Sequence, residues 1–96
     1  MKIQLMQQIL LKGKPRTYRP VYKEFESSII PCKGDFISDS AFKDPCEHEV
    51  VQVSINYQRD ECLVTLHMLE IDSDNEADIK KYMEVYKLHG WTYMDF

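Results

Sequence analysis

Residues 48–71 read HEVVQVSINYQRDECLVTLHMLEI, and this stretch decides the fold. Val51, Val53, Ile55 and Tyr57 alternate with Val50, Gln52, Ser54 and Asn56. Side chains on a strand alternate between faces, so the pattern gives one apolar and one mostly polar face. Polar Gln58-Arg59-Asp60-Glu61 interrupts the run, and Cys62, Val64, Leu66 and Met68 then alternate with Leu63, Thr65, His67 and Leu69. Folding the chain back at Arg59-Asp60 sets Tyr57 against Cys62, Ile55 against Val64, Val53 against Leu66 and Val51 against Met68. All these pairs lie on one face, and a one-residue slip would break every one. The stretch therefore predicts a β-hairpin.

The flanking segments extend that sheet. In Lys2–Leu11, residues Ile3, Leu5, Ile9 and Leu11 share one parity, interrupted by Gln7. Helical spacing of Ile3, Met6 and Leu10 competes, but Gly13 and Pro15 follow closely and favour a strand. Residues 12–20, KGKPRTYRP, read as a loop because of their Gly and Pro. In residues 21–30, Val21, Phe25 and Ile29 suggest a half-exposed strand. Pro31-Cys32-Lys33-Gly34-Asp35 reads as a turn with Pro31 at its first central position. Phe36 and Ile37 begin another short strand. Residues 38–47 are expected to be a loop, with Ala41 and Phe42 tucked inward.

A helix is expected from Asp72. Ser73-Asp74-Asn75-Glu76 fits a capping box, and Ile79, Tyr82, Met83 and Tyr86 form an apolar stripe at helical spacing. Gly90 suits the residue just beyond the helix, with Trp91 packing back on Tyr86. The expected fold is α+β: an antiparallel sheet of four or five strands with one C-terminal helix packed on it, in a single domain of 96 residues. Leu63 and Leu69 are expected to receive the helix on the side opposite Val64 and Leu66, unless the sheet curls to cover both faces.

The composition narrows the function. No apolar run approaches the ~20 residues that span a bilayer. The start, MKIQLMQQILLKGK, lacks the small-residue cleavage site of a signal peptide. The odd number of cysteines, Cys32, Cys46 and Cys62, then points to free thiols in a reducing cytoplasm. Charge is uneven. Residues 1–33 carry Lys2, Lys12, Lys14, Arg16, Arg19, Lys23 and Lys33 against Glu24 and Glu26, a local net charge of +5. Residues 34–96 carry five basic and fourteen acidic side chains, a net of −9. Such asymmetry steers a charged partner, or holds two copies head to tail as a homo-oligomer.

Several constellations bear on chemistry. Lys14, Arg16, Tyr18, Arg19 and Tyr22 combine cations for phosphates with rings that stack on unpaired bases. They suggest a single-stranded nucleic-acid site, although the sequence pI near 5.3 is low for one. The run from Asp72 to Asp78 fails as an EF-hand, because Ala77 and Met83 stand where Gly and Glu are needed. Cys32, Cys46, His48, Cys62 and His67 are sulfur and imidazole donors without zinc spacing. No Gly-rich phosphate loop, His-Glu-x-x-His or nucleophile elbow occurs, so neither enzyme activity nor a metal or other cofactor is expected. Trp91, Tyr18, Tyr22, Tyr93 and Phe96 exceed the needs of a small core and suit a protein interface.

Pro31-x-x-Gly34-Asp35-x-Ile37, followed by Val50, Val53 and Tyr57 and the strand Cys62–Met68, resembles small uncharacterised proteins of bacteria and their phages. The resemblance covers residues 29–69 and implies no catalytic residue. It implies a small cytoplasmic accessory or regulatory protein of the kind carried by phages or mobile elements. The expected function is non-catalytic binding of a protein partner, as a regulator or inhibitor, through Lys14, Arg16, Tyr18, Arg19, Tyr22 and Trp91. Single-stranded nucleic-acid binding through residues 12–23 is the alternative.

Overall fold

A computed structural model of the chain describes residues 1–38 and 47–93, with the side chains of 14–17 set aside. The expected placements of Ala41, Phe42 and Phe96 fall outside the described residues. The elements are β1 (Lys2–Leu11), β2 (Lys14–Glu26), β3 (Phe36–Ser38), β4 (Glu47–Asn56), β5 (Glu61–Leu66), β6 (Leu69–Ile71) and α1 (Glu76–Leu88). The strands form one six-stranded sheet in the order β2-β1-β5-β4-β3, with β6 also on β1. The architecture is α+β, but the sheet is mixed rather than antiparallel. β1 pairs in parallel with both β5 and β6. Two antiparallel units, β1–β2 and β3–β4–β5, have joined along this seam. Nothing in the local pattern of either unit reports the direction of that joint.

The central hairpin forms in a different register. Ile55 faces Cys62 and Val53 faces Val64, two residues from the expected pairing. A two-residue shift leaves every side chain on its expected face. The turn is longer because a tight two-residue turn needs positive φ at both central positions. Only Asp60 adopts it, at φ 53°, and the loop runs from Tyr57 to Asp60. The Asn56 side chain steadies it, accepting from the Arg59 N–H at 3.2 Å. At the other end, an irregularity between Val50 and Gln52 brings Val50 rather than Val51 into the core.

Of the expected loop over residues 12–20, only Lys12 and Gly13 form a turn, and residues 14–20 are the first part of β2. Tyr22 both donates to and accepts from Thr92, on the side of β2 away from β1. By the alternation of a strand, the nitrogen of Pro20 lies on that same outer side, so its missing N–H costs no bond to β1. The turn before β3 also shifts. Asp35 N–H donates to the Cys32 carbonyl at 2.9 Å, so Lys33 and Gly34 are its central residues and Pro31 precedes it.

The core lies on one face of the sheet. Ile3, Leu5, Ile9, Leu11, Val21, Val50, Cys62, Val64, Leu66 and Ile71 pack in one cluster with Ile79, Met83, Tyr86 and Trp91. The helix thus shares the Val64–Leu66 side, and it lies against β1 and β2. Leu63, expected beneath it, is on the other face and exposed. The capping box is not formed. Asn75 caps α1 by accepting from the Ala77 N–H at 2.9 Å, and Ser73 instead accepts from Asn75 and donates to Asp78. The C-terminal end matches expectation. Gly90 adopts φ 92°, its N–H donates to Lys87, the Trp91 N–H donates to Tyr86, and the Trp91 ring packs edge-on against Tyr86 at 5.1 Å.

One polar residue is buried among these apolar ones. Gln7 is fully buried on the core face of β1. Across the sheet, Met6 pairs with Thr65 and Ile9 with Leu69. Residues 66–68 therefore oppose only Gln7 and Gln8, a bulge that turns the His67 carbonyl off the ladder. The Gln7 amide nitrogen donates to that carbonyl at 2.9 Å. Its other hydrogen meets His48 Nδ1 at 2.8 Å, while the Tyr86 hydroxyl donates to Gln7 Oε1 at 2.6 Å. A carbonyl can only accept, so the orientation of the Gln7 amide is set and His48 Nδ1 must be unprotonated. Among the described residues no buried side-chain nitrogen or oxygen lacks a partner.

Two substitutions test this arrangement. Gln7→Leu keeps the volume but strands the His67 carbonyl, His48 Nδ1 and the Tyr86 hydroxyl, and is expected to cost about 3 kcal/mol in urea unfolding, against about 1 kcal/mol for Tyr86→Phe. Gly13 sits against the Ser73–Asp74 backbone, and a Cβ there would lie 2.5 Å from Asp74 Cβ. Gly13→Ala is expected to lose about 1–3 kcal/mol in the same assay through overpacking.

Candidate functional site

The residues of the expected basic site are divided by the strand that carries them. Antiparallel partners share a face. Tyr18 opposite Leu10 and Tyr22 opposite Met6 thus lie on the open face of the sheet. Arg19 opposite Ile9 and Lys23 opposite Leu5 lie on the helix face. Arg19 donates to the Tyr18 carbonyl at 2.8 Å. Lys23 donates to the His89 carbonyl at 3.1 Å, at the helix C-terminus where the dipole favours a cation. Lys14 and Arg16 lie on the β2 backbone, with side chains outside those described. Trp91, expected as an exposed anchor, is 1% exposed and belongs to the core. Tyr18, Arg19, Tyr22 and Trp91 do not share one surface.

The sulfur and imidazole candidates are likewise scattered. Cys32 is exposed, Cys62 is buried, and Cys46 lies outside the described residues. Burial pushes the Cys62 thiol up from its ordinary value. Among the described residues, no group of three or more His, Cys, Asp or Glu is placed to hold a metal ion. Glu76 and Asp78 occupy the first turn of α1, where the helix dipole favours them.

Two surface features remain. A shallow groove of about 230 Å³ crosses the open face between Lys2, Gln4, Glu24, Asn56, Glu61 and Leu63. Its charges are already paired, Lys2 with Glu24 at 3.7 Å, and it is smaller than the ~300 Å³ of an ordinary ligand pocket. The second is the outer edge of β4. β3 and the turn before it pair only with residues 47–50. Among the described residues, no backbone group pairs with β4 on that side beyond Val50. The edge is flanked by Phe36, 61% exposed, and Tyr57, 81% exposed, with Ile55 half-exposed between them.

The two sheet edges differ in how they are guarded. Edge strands left bare recruit other strands, and Lys, Arg or Pro on the edge prevents it. β2 carries Lys14, Pro15, Arg16, Arg19, Pro20 and Lys23, and pairs with Thr92 besides. Residues 50–58 of the other edge contain no charged residue and no Pro. The sequence reading assigned Ile55 and Tyr57 to a covered apolar face and overlooked Phe36. The uncharged run was the signal that could have identified this edge.

No family model, curated protein or solved structure matches the chain. No helix among the described residues is long and apolar enough to cross a membrane.

His48 carries the one titration that reaches the buried network. Burial, and then repulsion from His67, hold its pKa below the ordinary 6.5. Protonation would also place a hydrogen on Nδ1, against the Gln7 amide. The unfolded chain therefore binds this proton more readily than the folded one. The contribution of His48 is complete above pH ~6.5 and is lost as pH falls from there through the lowered native value. Urea midpoints are expected to fall across that window, with a shallower fall in His48→Gln.

Proposed function

We propose that the chain is a small non-catalytic binding protein that acts by protein–protein contact through the outer edge of β4. The observation that carries this reading is the uncharged β4 edge, unpaired beyond Val50 among the described residues, between exposed Phe36 and Tyr57. Main-chain groups on such an edge supply affinity by strand addition, and aromatic flanks supply the anchors. A regulator or inhibitor fits, because an added strand covers a partner's surface without any chemistry. The sequence resemblance to small bacterial and phage proteins, and the cytoplasmic setting it implies, belong to the same reading.

Single-stranded nucleic-acid binding is the second reading. It is favoured by half-exposed Tyr18 on the open face of β2 and by exposed Lys12 in the β1–β2 turn. The division of Arg19 and Lys23 from Tyr18 and Tyr22 weighs against it.

The test separates the two. A tagged copy purified from its native cell is expected to retain a stoichiometric protein partner, whether a second copy or another protein, and the double variant Phe36→Ser, Tyr57→Ser to lose at least about 10-fold in affinity with its fold intact. Titration with a short labelled oligonucleotide at about 50 mM salt is expected to show no saturable binding; binding that weakens steeply with added salt would favour the second reading.

A further inference from the structure

We propose that the partner of the β4 edge is a second copy of this chain, added antiparallel about a two-fold axis at Ser54 to make one continuous sheet. This rests on the protein-contact reading above. In a strand of L-residues, the face on which a side chain lies fixes the lateral direction of its N–H and C=O. Val50 lies on the core face, and its N–H and C=O point outward, to Asp35 at 2.8 Å and from Gly34 at 2.9 Å. Val53 and Ile55 lie on that same face, opposite Val64 and Cys62. Their backbone groups therefore point outward too, into the lane that begins where Asp35 ends.

That lane is bounded by Val50 at one end and the hairpin loop at the other, and Ser54 lies midway between Val51 and Tyr57. A second β4 running antiparallel about Ser54 fills it. Val53 then exchanges both hydrogen bonds with Ile55 of the second copy, and Ile55 with its Val53. On the core face this makes Val–Ile cross-strand pairs, covering the half-exposed Ile55. On the open face it sets Gln52 against Asn56 and Ser54 against Ser54. Both helices fall on the same side of the joined sheet.

The ends of the lane are complementary in charge. The turn that closes it carries Lys33 and Asp35, both exposed. The hairpin loop of the second copy, arriving there, carries Arg59 and Asp60, also exposed. Each sign meets its opposite, and the two-fold repeats the match at the other end. A parallel or shifted strand would lose this match or run into β3. The alternative edge, β2, is occupied at Tyr22 by Thr92 and guarded by its charges and prolines.

The experiment measures solution mass and crosslinking. By light scattering the wild-type chain is expected at twice its 11.4 kDa. Ser54→Lys lies on the exposed face, away from the core, and sets like charges against each other only in the dimer. It is expected to weaken self-association at least about tenfold while the circular dichroism spectrum stays as in the wild type, and to melt as the wild type does once both are diluted to monomer. In a Cys32→Ser background, Ser54→Cys is expected to give a disulfide-linked dimer on mild oxidation, and Asn56→Cys much less. A monomeric wild type that holds a different protein through Phe36 and Tyr57 overturns this inference and leaves the protein-contact reading standing. A wild type that is monomeric and binds no protein overturns both. A dimer unaffected by Ser54→Lys, or one without the Ser54→Cys crosslink, places the interface elsewhere and also overturns it.

Discussion

Everything on the core face is tied through the side chain of Gln7. It donates to the His67 carbonyl and to His48, and accepts from Tyr86. One amide thus joins β1, the bulge after β5, β4 and the helix. A buried polar group without partners costs more than its hydrogen bonds contribute, so the arrangement is demanding as well as stabilising. Apolar contacts alone would tolerate several packings, and the amide selects among them.

The bulge explains why this device is needed. A parallel seam between β1 and the β5–β6 strand must continue past His67 and Met68, where one extra residue breaks the ladder. The break increases twist and lets the far end of the sheet curve over. It also turns the His67 carbonyl toward Gln7. Gln7 stands opposite and closes that gap. The residue that interrupted the apolar pattern of the first strand is therefore the one the strand needs.

The surface follows from how the sheet was assembled. The β1–β2 hairpin meets the β3–β4–β5 unit through its inner strand, which leaves β2 and β4 facing outward. β2 is long, charged and proline-bearing. β3 and the turn before it reach β4 only as far as Val50, so among the described residues the neutral stretch beyond, between two aromatic residues, has no partner strand. The charge asymmetry of the sequence does not mark this place. Of its basic residues on β2, Arg19 and Lys23 lie on the helix face, and Lys23 donates to the His89 carbonyl at the helix C-terminus.

By itself the sequence determined that residues 50–56 and 62–66 form a hairpin, that residues 2–11 form a strand, and that a helix with an apolar stripe ends at Gly90 with Trp91 packed on Tyr86. These are local matters: a period of two or near four and a glycine at positive φ act within a few residues of themselves. The tertiary structure decided the parallel joint of β1 with β5 and β6. It also settled the side on which the helix packs, the burial of Gln7 and the open edge of β4. Each of these depends on groups far apart in the chain, such as Gln7 with Tyr86 or β1 with β5. Hydrogen-bond satisfaction and packing between distant segments leave no periodic trace in the sequence, so they become visible only when the strands are laid side by side.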